Sequence, residues 1–321
     1  MNSFVQNMQF TTKIPIEKFS KSITYDSNIL SLGSCFADNM DEKFHYYKFS
    51  TVTNPFGIIF NPVSLERIVQ RIVNQVAFTE NDIFFHNEAW HCFEVHSELS
   101  HPNKDEFLKQ LNSILNDVHS QIRSLTHCII TLGTAWVYRN NALDKIVANC
   151  HKVPQNQFTK ELLSVATIQK SIENIVTLVQ QINKEVQFIC TVSPVRHSKD
   201  GFVENNVSKA HLLSAVYTCK TSLEIAYFPS YEILLDELRD YRFYAEDMLH
   251  PNAIAIQYIW QRFKETVIDA TVYEIMDEVA TIQKALAHKP FNPLSANHVN
   301  FVNTTQQKIS NLQKKLPSVQ F

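Results

Sequence analysis

The chain has 321 residues, of which 45% are apolar and 19% charged, and its formal net charge is -3. This composition excludes a disordered, fibrous or membrane-spanning protein and is typical of a soluble globular one. Because basic side chains are not in excess, neither nucleic acid nor an anionic membrane is an expected partner.

The N-terminal residues contain no cationic leader followed by a continuous apolar stretch, so we expect no signal peptide. No window comes near the roughly 18 apolar residues that a transmembrane helix needs. The 6 cysteines form no CxxC pair, which argues against a structural zinc site and a disulfide framework. We therefore expect a cytoplasmic protein with reduced cysteines and no cofactor.

The first predicted strand covers residues 29–32 and leads into Gly33, Ser34 and Cys35. Apolar residues then recur with helical spacing over residues 36–47, so the pattern predicts a strand, a sharp turn and a helix. A second strand is predicted over residues 49–53. It is followed by a turn that ends at Gly57 and by a helix over residues 63–76, capped at Asn61.

The middle of the chain continues this alternation of strands and helices. An aromatic-rich hairpin is predicted over residues 83–95 and an amphipathic helix over residues 104–124. The further predicted elements are a strand at 127–132, a hairpin from 135–138 to 145–148, a helix at 168–182, a strand at 186–192, a helix at 208–218 and a strand at 223–228.

The alternation predicts an α/β fold with a parallel sheet that is covered by helices on both faces. Ligands of such sheets bind outside the carboxyl ends of the strands. Those ends carry Gly33, Gly57 and Gly133, three of the 4 glycines of the chain. The sequence therefore places a candidate site at that edge of the sheet.

Three helices are predicted at the end of the chain, the first of which follows His250 and ends near Val267. The others cover residues 273–287 and 295–316. We expect an α/β domain over residues 1–267 and a helical extension over residues 268–321. This extension either packs on the domain or joins copies of the chain in a homo-oligomer.

Asp247 and His250 form an Asp-x-x-His sequence at the start of a helix. This spacing allows the carboxylate to accept from Nδ1 of the imidazole and leaves Nε2 available as a general base. Cys35 is a candidate nucleophile, because the N-terminus of a helix favours a thiolate.

The histidines between residues 86 and 101 recur every five residues. At this spacing successive side chains lie on different faces of a helix or strand, so no metal site is expected.

Several separated motifs together resemble the GSCFA family, which is related to the SGNH (GDSL-like) hydrolases. The motifs are LGSCFA at 32–37, NPFG at 54–57 with NP at 61–62, LGTAW at 132–136, NCHKVP at 149–154, SPVRH at 193–197 and DMLHPN at 247–252. The resemblance implies a flavodoxin-like three-layer α/β/α fold. It also implies ester hydrolysis or acyl transfer.

By this resemblance, Cys35 takes the place of the SGNH serine nucleophile, Ser34 is the alternative nucleophile, and Asp247 and His250 form the acid–base pair. The asparagine of the third SGNH block, an oxyanion donor, has no counterpart in LGTAW. An oxyanion hole is then expected from the main-chain N–H groups of Cys35 and Gly57, with the hydroxyl of Thr134 as a further donor.

Arg196 is expected to bind a carboxylate or phosphate of the substrate through its planar guanidinium, with His197 beside it. The leading hypothesis is an esterase that acts on a small-molecule or glycan acyl ester. The alternatives are an acyltransferase or thioesterase, and a catalytically weak protein that binds a carbohydrate or acyl ligand.

Overall fold

The strands and helices of the protein are defined in a computed structural model that describes residues 11–317 and 319–321. The strands are β1 (Asn28–Gly33), β2 (Ser50–Thr53), β3 (Phe84–His86), β4 (Ala89–His91), β5 (His127–Leu132), β6 (Trp136–Asn140), β7 (Lys145–Val147), β8 (Phe158–Leu162), β9 (Gln187–Val192) and β10 (Ala226–Tyr227). The helices are α1 (Cys35–Tyr46), α2 (Pro62–Val73), α3 (Lys104–Ile122), α4 (Val165–Ile182), α5 (Phe202–Ser222), α6 (Ser230–Glu232), α7 (Ala253–Val267), α8 (Tyr273–Leu286) and α9 (Ala296–Lys315). The expectation about a signal peptide concerns residues 1–10, which lie outside this description.

The central sheet has five strands in the order β10-β9-β5-β1-β2, and all of its neighbouring pairs are parallel. When these five strands are numbered along the chain, the order across the sheet is 2-1-3-4-5, which is that of flavodoxin-like folds. The predicted α/β fold class is therefore confirmed. The strand order reverses between β1 and β5, and ligands of such folds bind at this switch point.

Successive side chains along each central strand are buried on opposite faces of the sheet. Leu30 and Leu32 pack in a hydrophobic cluster that includes residues of α2, α3, α4 and α5. Ile29 packs in a second cluster that includes residues of α1 and α7. Helices thus cover both faces, as three-layer α/β/α packing requires.

The structure differs from the predicted elements most clearly at β8, α5 and β10. Strand β8 was not predicted; it pairs with β6 in a small antiparallel sheet, and the exposed Thr159 and Lys160 at its centre give it little apolar character. Helix α5 begins at Phe202 rather than at residue 208, and the apolar residues of its first turns, Phe202, Val203 and Val207, are exposed. Strand β10 is only two residues long, since it pairs with one neighbour at the sheet edge.

The C-terminal helices pack on the α/β layers. Met276 of α8 and Leu312 of α9 belong to the same buried cluster as Phe44 of α1 and Trp260 of α7. Within residues 11–317 and 319–321, every helix is too short or too polar to cross a bilayer. The predicted domain boundary at residue 267 and the role of these helices in an oligomer stay predictions.

Candidate functional site

Cys35 is the first residue of α1 and follows the carboxyl end of β1 after a tight turn. Gly33 makes this turn with φ of +140°, and a Cβ there would lie 2.0 Å from the carbonyl oxygen of Thr131 in β5. Only glycine allows the two backbones to approach this closely. The turn therefore places Cys35 at the switch point between β1 and β5.

Ser34 and Cys35 have different surroundings, although they are neighbours. Ser34 is 2% exposed and caps α1, because its Oγ accepts a 3.3 Å hydrogen bond from the N–H of Phe36. Cys35 is only partly buried. Burial and the negative charge of Asp38 raise the pKa of the Cys35 thiol, while its own N–H, Lys209 and the N–H of Phe36 oppose that rise. The residue is thus partly exposed, and its raised pKa disfavours the thiolate.

The turn of the NPFG motif is hydrogen-bonded to both β1 and α1. Asn54 Oδ1 accepts from the N–H of Gly33 at 2.8 Å, and its Nδ2 donates to Asp38 Oδ1 at 2.6 Å. The N–H of Gly57 donates to the Asn54 carbonyl oxygen at 2.7 Å. The role of Gly57 as an oxyanion donor stays a prediction. To play that role, its N–H must give up the hydrogen bond to Asn54.

Thr134 lies just beyond the carboxyl end of β5 and is buried. Its Oγ1 is 2.9 Å from the hydroxyl of Ser208 in α5 and accepts from the N–H of Trp136 at 3.1 Å. The N–H of Ala135 also donates to the Ser208 hydroxyl, at 2.7 Å. The hydroxyl of Thr134 therefore belongs to a buried network, and its role toward an oxyanion stays a prediction as well.

Asp247 and His250 make the contact that their spacing predicts. Asp247 Oδ2 lies 2.6 Å from His250 Nδ1, and Asp247 Oδ1 accepts from the N–H groups of His250 and Leu249 at 3.0 and 2.9 Å. These two N–H groups and the His250 ring lower the pKa of Asp247 to about 2. The carboxylate is thus charged at neutral pH and holds the imidazole with Nε2 directed away from it.

The loop that carries His250 is joined to the loop that follows β9. The N–H of Arg196 donates to the Leu249 carbonyl oxygen at 3.1 Å. The next residue, His197, is fixed through its own N–H, which donates to Asn205 Oδ1 at 2.9 Å. Burial, followed by the charges of Lys209 and His250, lowers the pKa of His197 to about 3, so this ring is neutral.

The sequence analysis did not identify Lys209 and Asn205, which lie one turn apart on α5. Lys209 is 1% exposed, and its Nζ donates to the carbonyl oxygens of Gly133 and Ser193 at 2.6 and 2.7 Å. Within the described part of the chain, the buried Nδ2 of Asn205 has no hydrogen-bond partner. In the structure both residues lie on the buried face of α5, at helical spacing with the buried Leu212.

Arg196 borders a cavity of about 170 Å³ together with Tyr241, Tyr244 and Arg239. Its guanidinium carbon lies 5.7 Å from the ring centroid of Phe202. Among the ion pairs of residues 11–317 and 319–321, none involves Arg196. The guanidinium is therefore available to an anionic group, and that role stays a prediction.

His91, in the histidine-rich segment, and the neighbouring His151 are both held by hydrogen bonds. His91 Nδ1 is 2.6 Å from the hydroxyl of Ser100, and His151 Nε2 is 2.7 Å from the carbonyl oxygen of Cys92. In the portion of the chain that is described, no three His, Cys, Asp or Glu side chains are arranged to hold a metal ion.

Comparison with protein families gives two matches that together cover most of the chain. A model described as "GSCFA family" matches residues 28–263, and one described as "GSCFA domain protein, C-terminal domain" matches residues 279–321. No curated protein matches the chain. Cys35, Lys209, Asp247 and His250 all lie within the first match.

Proposed function

The chain belongs to the GSCFA family, and on this basis we propose that it is an SGNH-like hydrolase that cleaves an acyl ester through Cys35. One arrangement carries the proposal. A partly exposed cysteine begins a helix at the switch point of a flavodoxin-like sheet, and a loop beyond the same sheet carries a histidine that is already oriented by a carboxylate.

The proposed reaction has two steps. His250 Nε2 takes the proton of the Cys35 thiol, and the sulfur attacks the carbonyl carbon of the ester. The bond from that carbon to the alcohol oxygen then breaks, and the alcohol leaves with the proton from His250. In the second step His250 takes a proton from water, the hydroxide attacks the thioester, and the acid leaves as the proton returns to the Cys35 sulfur.

The oxyanion of each step needs hydrogen-bond donors that are not already occupied. Among the hydrogen bonds of the described residues, none is donated by the Cys35 N–H to an oxygen, so this amide is the first proposed donor. Gly57 joins it only by giving up its present partner, and Thr134 joins it when Ser208 is the donor between their two hydroxyls. In the same proposal Arg196 binds an anionic group of the substrate, and His197 forms the neutral wall beside it.

A second candidate function is the binding of an acyl or carbohydrate ligand with little or no turnover. It is favoured by the raised pKa of the Cys35 thiol, which disfavours the reactive thiolate. It is also favoured by the Gly57 amide, which already donates a hydrogen bond to Asn54. An acyltransferase uses the same thioester and differs only in the acceptor, which is an alcohol or amine in place of water.

The test is brief exposure of the full chain to p-nitrophenyl esters of acetate, butyrate and octanoate, followed by intact-mass measurement and peptide mapping. We expect one acyl group on Cys35 in the wild type and in Ser34→Ala, no label there in Cys35→Ala, and much slower labelling in His250→Ala. Cys150→Ala is the matched control, because Cys150 is also partly buried.

Each other outcome points to a definite alternative. Label on Ser34 assigns the nucleophile to that residue instead. Binding of a substrate-like ester with no label on either residue contradicts the hydrolase and supports the binding protein. Faster loss of the acyl group to an added alcohol than to water identifies an acyltransferase.

A further inference from the structure

The cavity beside Arg196 contains two arginine side chains, of which the proposed reaction uses one. Its volume is about 170 Å³, and Arg196 and Arg239 both line it. Among the ion pairs of the described residues, none includes either arginine. Neither guanidinium donates a hydrogen bond to another residue in that part of the chain. Two positive charges therefore share one cavity, and no ion pair of the described residues neutralises them.

The cavity also contains the carboxylate of Asp240, which is already held by a third arginine. Its Oδ1 accepts from the N–H of Arg242 at 2.8 Å, and its Oδ2 lies 3.1 Å from Nη2 of the same residue. Arg242 thus offsets the charge of this carboxylate. The charges of Arg196 and Arg239 stay available to a ligand.

Apolar and aromatic side chains complete the cavity wall. Leu234 and Leu235 belong to a π-helical turn over Ile233–Glu237, and turns of this kind are rare and frequently lie at functional sites. The rings of Tyr241 and Tyr244 have their centroids 5.8 Å apart. The cavity therefore offers apolar contact to an organic group next to hydrogen-bond donors for an anion.

The wall of the cavity is attached to the loop that carries His250. The N–H of Arg196 donates to the Leu249 carbonyl oxygen at 3.1 Å. Tyr244 forms an antiparallel bridge with Pro251. The wall is thus joined to the residues on both sides of His250, so a ligand in the cavity lies beside the loop of the proposed general base.

We propose that this cavity binds the phosphate group of an organic phosphate monoester. Such a group carries a charge of about -1.5 to -2 at pH 7 and accepts paired hydrogen bonds from guanidinium groups. It therefore matches two unpaired arginines, whereas a carboxylate matches one. The organic part of the ligand contacts the leucine and tyrosine side chains of the wall. The inference rests on the proposed function in one respect, namely that the ester which reacts with Cys35 carries this phosphate.

The first test is the equilibrium binding of phenyl phosphate to the full chain at pH 7.5, measured by ligand-observed NMR. Arg196→Gln and Arg239→Gln should each weaken binding about tenfold, because each removes charge-assisted hydrogen bonds to the anion. Arg123→Gln is the matched control. Arg123 is exposed at the end of α3 and precedes β5, so it lies toward the opposite edge of the sheet, and this variant should bind as the wild type does.

The second test keeps both arginines and removes the negative charge from the cavity. Asp240→Asn should tighten the binding of phenyl phosphate by about two- to fivefold, as expected for a charge that is partly exposed. Asparagine can still accept from the N–H of Arg242, so the local turn is retained. An unchanged or weaker affinity in this variant would contradict the inference.

Benzoate and inorganic phosphate separate the two parts of the ligand. Benzoate has the ring without the second negative charge, and inorganic phosphate has the charge without the ring, so both should bind about tenfold more weakly than phenyl phosphate. Equal binding of benzoate would overturn the inference in favour of a carboxylate site. Equal binding of inorganic phosphate would overturn it in favour of a site for the free anion.

These measurements do not depend on ester chemistry. If phenyl phosphate binds through the two arginines but no ester labels Cys35, the proposed function fails and the phosphate site stands. If Cys35 is acylated but Arg196→Gln and Arg239→Gln bind phenyl phosphate as the wild type does, the phosphate site fails and the proposed function stands.

Discussion

Asp247 Oδ2 and His250 Nδ1 lie 2.6 Å apart on a loop where each side chain is 46% exposed. An acid–base pair in a buried active site is held by the residues around it. This pair is held mainly by its own loop, in which two main-chain N–H groups donate to Asp247. The pair is therefore preformed before a substrate arrives.

Asp247→Asn should slow acylation of Cys35 by about 10- to 100-fold, because an amide at this position favours the opposite tautomer of the His250 ring. The loss should be smaller than for a buried pair, since water can also orient an exposed imidazole. The measurement is the single-turnover rate of thioester formation with a p-nitrophenyl ester. Asp144→Asn, at an exposed hairpin turn, is the control, and an undiminished rate in Asp247→Asn would contradict the role of this pair.

Gly33→Ala should destabilise the protein by about 3 kcal/mol or more, because the added Cβ meets a backbone oxygen of β5 and the backbone has φ of +140°. Gly201→Ala is the comparison. Its φ of +110° is also unfavourable, but its Cβ would meet only the movable carboxylate of Glu204. Urea unfolding gives both free energies, and a loss at Gly33 no larger than that at Gly201 would be contrary to this expectation.

Stability should fall as the pH drops from about 6.5 toward 4, in part because of His151. Burial lowers the pKa of this ring to about 4 from its usual 6.5. The unfolded chain therefore takes up a proton in this range that the folded protein does not hold, so the contribution of His151 is complete above pH 6.5 and is lost on acidification. The difference in the His151 pKa between the unfolded and folded protein corresponds to about 3 kcal/mol of the free energy of unfolding at most.

The check is to measure the free energy of unfolding against pH for the wild type and His151→Gln. We expect the variant to be less stable at pH 7.5, where packing is lost, but to show a flatter slope between pH 6.5 and 4. Equal slopes in the wild type and His151→Gln would show that His151 does not titrate as described.

Met276→Ala should cost about 2–5 kcal/mol and shift the unfolding of the whole protein, because Met276 is fully buried against α1 and α7. Leu286→Ala, at the exposed end of the same helix, should cost less than about 1 kcal/mol. Circular dichroism and tryptophan fluorescence should report one coincident transition. An unaltered main transition would mean that the C-terminal helices fold separately.

Elements with strong local patterns were predictable from the sequence. The run that ends at Gly33 and the helical spacing after Cys35 gave β1 and α1 within one residue of their observed ends. The contact of Asp247 with His250 also follows from local spacing, because the two residues are only three positions apart in one loop.

Lys209 was not predictable in the same way, because an isolated lysine in a helix is ordinarily exposed. Its burial depends on the approach of α5 to the ends of β5 and β9, which no local pattern contains. The hydrogen bond of the Gly57 amide was not predictable either. Its acceptor is the carbonyl oxygen of Asn54, which is placed by the left-handed conformation of Asn54 in the turn.

The two faces of the sheet are covered by parts of the chain that are synthesised at different times. Helices α2 to α5 lie between Pro62 and Ser222, so their layer is complete in sequence well before the last helices exist. The layer that contains Ile29 and α1 is instead completed by α7, α8 and α9, which pack in the same cluster. During translation this apolar face stays open until α7, α8 and α9 have been made, and an open face of this kind is prone to aggregation. Helix α1, which begins at Cys35, belongs to this layer, so its apolar face is fully covered only when α7, α8 and α9 have packed.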